Sequence, residues 1–454
     1  MAEQKGGSER MEKIVSLCKR RGFIFQSSEI YGGLNGCWDY GPLGTELKRN
    51  VKDFWWRRMV RERDDVVGMD GSILMNRQVW VASGHESTFS DPMVDCRNCK
   101  ARLRADHLVE KNGKKQCPVC GSTDLTEPRA FNLMFKTYVG ATEDESAITY
   151  LRPETAQAIF VQFRNILEVS RKKLPFGIAQ IGKAFRNEIN PRNYTFRSRE
   201  FEQMELEYFC QPDDGFKLLE YWLQERLKFY DDIGVPPELL HVHRIPPEEC
   251  AHYSKGTYDI EFQFPFGVQE LEGVAYRTDY DLTQHQNASG KPLDYYDEET
   301  KRRFVPHVVE PSAGVDRTVL ALICAAFGEE TVTDENGKAE ARTVLRFHPR
   351  MAPIKCGVFP LLKNNPQLVQ KSREIADSLK PYMMVFYDES GAIGRRYRRQ
   401  DEAGTPFCVT VDFDTIGENG PEKRETVTLR DRDTMKQERV PIADLKDLLI
   451  ERIR

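Results

Sequence analysis

The stretch Ile178-Ala-Gln-Ile-Gly-Lys-Ala-Phe-Arg-Asn-Glu188 and the returning Phe201-Glu-Gln-Met-Glu-Leu-Glu-Tyr-Phe209 decide how this chain folds. In the second, Met204, Leu206 and Tyr208 alternate with Phe201, Gln203, Glu205 and Glu207, the period of two that puts apolar groups on one face of a strand and acids on the other. The connecting segment of about a dozen residues is rich in Arg, Asn and Pro, so the pair reads as antiparallel strands joined by an unusually long, charged hairpin. If the apolar face packs on helices, the polar face must line water or a ligand. Solvated strand polarity accounts for it as well as a site does, but Arg186, Arg197 and Arg199 raise the local positive charge, which suits a polyphosphate.

Outward from this pair, long strands with helices clustered between them predict an α+β domain on an antiparallel sheet. Val319 to Phe327 reads as a buried helix. Gly328–His348, with Glu329, Glu330, Asp334, Glu335, Asn336 and Gly337, reads as the approach to a domain boundary near His348. Beyond it the pattern alternates: strand Lys355–Leu362, helix Pro366–Lys380, strands Met383–Tyr387, Phe407–Asp412 and Thr426–Leu429, helix Ile442–Ile453. That predicts a small α/β domain with a mixed or parallel sheet. The expected division is 1–347 and 348–454, with insertions at about 92–125 and 210–305.

The 454 residues carry 66 Lys+Arg against 71 Asp+Glu. Interspersed charges exclude an acidic tail or a basic nucleic-acid wrapper, and leave a nucleic-acid partner open. The apolar run Val319–Phe327 is about half of what a membrane span needs, so none is expected. Met1–Arg10 is polar, unlike a secretory signal. Eleven cysteines, an odd number in a long chain, argue for a reducing compartment, the cytoplasm.

Four of those cysteines form two knuckles, Cys96-x-x-Cys99 and Cys117-x-x-Cys120, at the spacing of a tetrahedral zinc site. Four thiolates would fill the coordination shell and leave no position for catalysis, so a structural zinc is expected; four reduced cysteines without metal is the alternative. A second element faces the strand pair: Val308-Val-Glu-Pro-Ser-Ala-Gly314 leads into a helix starting near Val315, with Arg317 in its first turn. A helix N-terminus favours anions, and an arginine there adds a fixed cation.

Together these residues resemble the class II aminoacyl-tRNA synthetases: a Phe185-Arg186-Asn187-Glu188 strand end, a long loop, the returning Arg199-Glu200-Phe201 and a Gly314-x-x-Arg317 helix start. Within that class the chain is similar along nearly its whole length to the homodimeric glycyl-tRNA synthetases. The stretches that carry this are Tyr31-Gly-Gly-Leu-Asn-Gly-Cys-Trp-Asp-Tyr-Gly-Pro-Leu-Gly44, Ser83-Gly-His85, Leu151-Arg-Pro-Glu-Thr-Ala-Gln157, Glu310-Pro-Ser312 and Gly394-Arg-Arg-Tyr-Arg-Arg-Gln-Asp401. Asp316 stands where many class II enzymes have a second glycine.

The resemblance implies a glycine–tRNA ligase that joins glycine to AMP using ATP and then passes the glycyl group to the 3' end of tRNA(Gly). It places ATP among Arg186, Asn187, Glu188, Phe196, Arg197, Ser198, Arg199, Glu200, Phe201, Glu270, Leu271, Gly314, Val315, Asp316 and Arg317, with Arg186, Glu188 and Arg317 as the catalytic set and Mg2+ near Glu270. Glycine is placed among Arg104, Glu154, Phe201, Glu202, Gln203, Met204, Glu205, Glu310, Pro311, Ser312, Ala313 and Gly314. Carboxylates around an ammonium answer the problem of a substrate with no side chain. Glu154 also reads as a helix N-terminal acid, Glu310 as a solvated strand end, and His85 as a loop histidine holding backbone. Leu47, Val51, Phe54, Trp55 and Met59 form an apolar helical face that the resemblance places at a homodimer interface and simple amphipathicity places in the core. The C-terminal domain resembles the anticodon-binding domain of the glycyl, histidyl, prolyl and threonyl enzymes. There Arg395, Arg396, Arg398 and Arg399 around Tyr397 suit RNA contacts or an ion-paired turn. A synthetase-like binding protein without chemistry, or a ligase for another small amino acid, are the competing functions.

Overall fold

Local pattern and cross-strand pairing build one large sheet. The computed structural model describes residues 2–111, 113–333 and 339–454. Seven strands, β1 (Val66–Gly68), β2 (Phe176–Phe185), β3 (Glu200–Cys210), β4 (Leu240–Arg244), β5 (Gly256–Phe264), β6 (Gly267–Thr278) and β7 (His307–Gly314), lie in the order β4-β5-β6-β7-β3-β2-β1. β2 and β3 pair antiparallel from Phe176↔Phe209 to Phe185↔Glu200, and only β1 runs parallel to its neighbour.

The alternation in β3 sorts its side chains as its pattern predicts. Met204, Leu206 and Tyr208 enter the main core with α2 (Pro42–Trp56), α4 (Gly215–Asp232) and α6 (Val315–Ala326), through Leu47, Val51, Trp222, Leu223, Val319 and Leu322. On the opposite side Phe209 meets Phe160 and Phe163 of α3 (Ala156–Ser170) and a cluster that includes Leu282 of α5 (Tyr280–Ser289). Further along that side come Glu207, Glu205, Gln203 and Phe201. α6 is buried at almost every position, which its near-uniform apolarity requires.

The C-terminal sheet has five strands: β10 (Cys356–Pro360), β11 (Val385–Tyr387), β12 (Phe407–Val411), β13 (Thr426–Asp431) and β14 (Gln437–Pro441), ordered β11-β10-β12-β13-β14. The first two pairings are parallel and the last two antiparallel, so the sheet is mixed. Its core takes apolar faces from α7 (Pro366–Leu379) and α9 (Ile442–Ile453). The Asn365 side chain caps α7 by accepting from two backbone N–H groups, and Pro366 occupies the first turn.

Four expectations need correction. The apolar face of α2 is not free for a partner: Leu47, Val51, Phe54 and Trp55, with Met59 in the π turn that follows, are core residues of this chain. The stretch after α6 is no open linker, because β8 (Phe327–Thr333) and β9 (Ala339–Leu345) pair as a hairpin; Asp334, Glu335, Asn336 and Gly337 lie outside the described residues. Residues 210–305 are not a simple insertion, since β5 and β6 are integral to the large sheet. The arginine cluster is part of α8 (Ile393–Ala403), not a turn. Arg396 is buried and donates to the carbonyls of Pro360 and Gly391, Arg399 pairs with Asp388, and Arg398 lies 3.1 Å from Glu340.

The hairpin and α8 are joined by buried charge. Arg342 Nε donates to Asp401 at 2.8 Å, and Arg430 donates to the same carboxylate at 2.9 and 3.2 Å. Burial alone would raise the Asp401 carboxyl, but Arg342 and Arg430 together hold it below its ordinary value. Arg432 donates to the carbonyls of Phe347 and Gly404, and Arg20 and Arg21 of the helix α1 (Ala2–Arg21) reach Glu402.

Candidate active site

The polar side of the large sheet opens into a cavity of about 420 Å³, lined from β3, β5, β6, β7, the start of α6 and the loop after β2. The strand end of β2 delivers Arg186, whose Nε donates to the Pro153 carbonyl at 3.0 Å. Its guanidinium lies between the rings of Phe89 and Phe201, 5.3 and 5.4 Å from their centroids. The remaining guanidinium N–H groups make no hydrogen bond among the described residues. Glu188 is buried beside it, with Arg197 at 3.7 Å, an ion-pair distance too long for a hydrogen bond.

Across the cavity Arg317 lies over the Phe196 ring at 4.4 Å, donates to the carbonyls of Phe196 and Glu270 at 3.2 Å each, and stands 3.4 Å from the Glu270 carboxylate. Asp259 lines the same end, and burial with the nearby Glu270 and Glu261 pushes its carboxyl up to about 6. The start of α6 is fixed from below by Asp316. It accepts from the Tyr40 hydroxyl at 2.6 Å, Lys48 Nζ at 2.8 Å and the Glu202 N–H at 2.7 Å. The residue that departs from the class pattern thus ties α6 to β3 and α2.

The other end is an acidic corner. Glu154, Glu205 and Glu310 line it with Gln203 and Ser312. Glu205 accepts from the hydroxyls of Thr155 and of Ser312, the latter at 2.8 Å. Burial, then the charges of Glu310 and Glu154, push its carboxyl up to about 8. Glu154 is drawn the opposite way: burial works against ionisation, but His85 and Arg277 outweigh it and hold the carboxyl far below its ordinary value. His85 is no backbone-holding loop histidine. It begins the short helix His85–Thr88, bonds Ser83 Oγ through Nδ1 at 2.8 Å and faces Glu154 through Nε2 at 3.3 Å. Glu154 does stand at a helix start, just before Thr155 and α3, and also lines the cavity, whereas Glu310 is no solvated strand end: Arg277 Nη1 donates to it at 2.7 Å.

Arg277, which the sequence did not single out, is the buried cation of this corner. It also grips Asp281 through two nitrogens at 2.8 and 2.9 Å and lies 4.0 Å from the Tyr253 ring centroid. Gln157 donates to Glu154 and Asp281 and meets His285 at 2.7 Å. Cys250 and Tyr253, from the segment between β4 and β5, complete the wall. The one signal of Arg277 in the sequence is its spacing of four from Asp281, across the join of β6 and α5.

Of the residues singled out from sequence, Arg186, Glu188, Phe196, Arg197, Ser198, Phe201, Glu270, Leu271, Gly314, Asp316 and Arg317 share this cavity with Glu154, Gln203, Glu205, Glu310 and Ser312. Others lie elsewhere. Met204, Pro311 and Ala313 belong to the opposite face of their strands, and Val315 is core. Glu202 pairs with Lys48 and Lys52, and Glu200 with Lys183. Arg199 is a brace, donating to the carbonyls of Glu188 and Asn35. Asn187 sits outside the wall, its N–H bonded to the Leu133 carbonyl. Arg104 is held by Asp91 and Asp106, at 2.7 Å each.

The knuckles fold as two equivalent turns. The N–H of Lys100 bonds the Cys96 carbonyl and that of Gly121 the Cys117 carbonyl, and both residues take positive φ, 62° and 71°. The four sulfurs lie within 4.8 Å of one another, with Cys96–Cys120 at 3.6 Å and Cys99–Cys117 at 3.7 Å. A tetrahedron of thiolates about 2.3 Å from zinc has edges of about 3.8 Å, so the set fits that metal.

Residues 135–326 match the tRNA synthetase class II core domain (G, H, P, S and T), and residues 355–452 match the anticodon binding domain. The chain is 54% identical over 437 residues to a glycine–tRNA ligase of Treponema denticola, covering 96% of this chain and 95% of the relative. Glycine–tRNA ligases of Thermobifida fusca and Clostridium kluyveri are each 51% identical, with 98% of both chains covered. Identity of this extent, across a cavity that pairs an arginine-and-aromatic end with an acidic end, means that the chain belongs to the glycine–tRNA ligase family of class II tRNA synthetases.

Proposed function

We propose that the protein activates glycine with ATP and transfers the glycyl group to the 3' end of tRNA(Gly), and that the cavity described above is where it does so. The observation that carries this reading is the pairing of two chemistries in one cavity: arginines beside an aromatic ring at one end, buried carboxylates at the other. Arg186 supports the α-phosphate with N–H groups that bond no other group among the described residues, Phe201 supplies a face for adenine, and Arg317 takes the far phosphates. Asp259 and Glu270 are hard oxygen donors at the Arg317 end, suited to Mg2+, which when bound neutralises charge on the leaving pyrophosphate. Glu154, Glu205 and Glu310 hold the ammonium of glycine, which has no other handle. Its carboxylate then attacks the α-phosphorus in line while Arg186 absorbs the developing charge. The walls are side chains locked on one another through Thr155, Gln157 and Ser312, which leaves little freedom to admit a methyl group.

Residues 1–347 form the catalytic unit and 348–454 the anticodon-binding unit in this reading. The four cysteines hold a structural zinc. Homodimerisation is carried over from the resemblance; with the apolar face of α2 inside the core, a partner would meet other surfaces. Cytoplasmic location agrees with eleven cysteines of which none is joined in a disulfide. Among the described residues no helix is long and apolar enough to cross a membrane.

ATP–pyrophosphate exchange should depend on glycine and not respond to alanine or serine; no exchange with any amino acid would sink the reading. Arg186→Ala should slow that exchange on the order of 10²–10³-fold, the scale for one preorganised charge-stabilising donor, and an unchanged rate would remove Arg186 from its role. An ammonium pairs with ionised Glu205, whose carboxyl is pushed up to about 8 by burial and its acidic neighbours, so below that pH glycine must displace a proton. The glycine KM should therefore fall as pH rises to about 8, and Glu205→Gln should abolish that trend; a flat wild-type profile counts against it. Elemental analysis should find about one zinc per chain, lost in Cys96→Ser; a metal-free, equally stable protein would refute the zinc assignment.

A further inference from the structure

One buried acid of β3 has no part in the reading above. Glu207 is fully buried, does not line the cavity, and neither of its carboxylate oxygens is reached by a hydrogen-bond donor among the described residues. Its carboxylate lies with those of Glu205 and Glu310, oxygens within 4.8 Å of one another. The pairings Glu205↔Ser312 and Tyr208↔Val309 set Glu207 opposite Glu310 on the neighbouring strand, where two like charges oppose each other. On its other flank, across the β2 pairing, the neighbour is Ile178, which offers nothing polar.

The charged groups around Glu207 are therefore Glu310 on β7, Arg277 on β6 and Glu205 on β3 itself. Arg277 is already bonded to Glu310 and Asp281, and Glu205 is bonded to Thr155 and Ser312. A buried ionised carboxylate that has no donor and faces a second carboxylate is so costly that the group keeps its proton instead. A neutral carboxylic acid has one O–H to give, and a carboxylate oxygen of Glu310 is the acceptor opposite.

We propose that Glu207 is a positioning residue of the amino-acid pocket, whose carboxylic acid O–H donates to Glu310 and, opposite Arg277, fixes that carboxylate where the substrate ammonium must meet it. Burial and the facing Glu310 push the Glu207 carboxyl well above its ordinary value, and the pull of Arg277 does not reverse this, which agrees with the geometry. The inference rests on the glycine reading of the site and deepens it. Glu207 touches no substrate; it acts through Glu310.

Two variants of similar length separate the donor from the volume. Glu207→Gln keeps an N–H donor without titrating, and its glycine KM should stay within about threefold of wild type, whereas Glu207→Met, which fills the space without a donor, should raise it about tenfold, the scale of one hydrogen bond to a charged group. ATP KM and kcat at saturating glycine should change little in either. Because Met fills the space of a buried acid with an apolar group while Arg277 still answers Glu310, its melting temperature should not fall, which distinguishes lost positioning from lost folding. A Met variant with wild-type glycine KM, or a Gln variant as impaired as Met, would overturn the proposal, and should Met fail to fold the Gln result alone decides it. A wild type that exchanges pyrophosphate without any response to glycine would instead bring down the glycine reading, and this inference with it.

Discussion

A single buried guanidinium holds the acidic corner together. Arg277 is bound by Asp281 and Glu310 and covered by the Tyr253 ring, in a region that also contains Glu154, Glu205 and Glu207. Carboxylates gathered away from water repel one another and lose hydration, and the arrangement survives only because each is answered by a cation, by hydroxyls or by a retained proton. Arg277 ties β6 to β7 directly and to α5 through Asp281, and Gln157 brings in α3. The electrostatic solution and the mechanical assembly of the site are the same set of bonds.

The same logic explains which parts of the fold could be read from sequence. The period of two in β3, the two cysteine knuckles and the strand–helix alternation after Lys355 are local patterns, and local geometry fixes what they mean. Arg186, two residues before Glu188, and Arg199, next to Glu200, look alike in sequence at the two ends of one charged loop. Their difference is tertiary: one faces a cavity, the other donates to carbonyls contributed by Asn35 and Glu188. Arg277 has little local signal, because an arginine in a strand is ordinarily solvated. Only the fold sets Glu310 against it.

α8 differs from its sequence pattern for a related reason. Charge density suggests RNA contacts or an ion-paired turn, yet Arg396, Gln400 and Asp401 recur at helical spacing on a buried side, with polar contacts where an apolar stripe would normally signal a helix. The hairpin β8–β9 reads in sequence as the approach to a domain boundary because its acids are conspicuous, while its pairing is not visible until Arg342 and Asp401 meet. A buried ion pair of this kind is directional, so it specifies how hairpin and helix meet more sharply than apolar packing would.

The order of strands has a consequence for how the protein is made. β7, residues 307–314, is the last of the seven strands in the chain and lies between β6 and β3. Without it the strand pairings make at most two separate pieces, β4-β5-β6 and β3-β2-β1, each with an open edge where β7 belongs. The polar partners of the pocket are up to 128 residues apart in sequence, so no short segment can assemble them early. Glu310 and Ser312 arrive on that closing strand, and the site comes into being in the same step that seals the sheet.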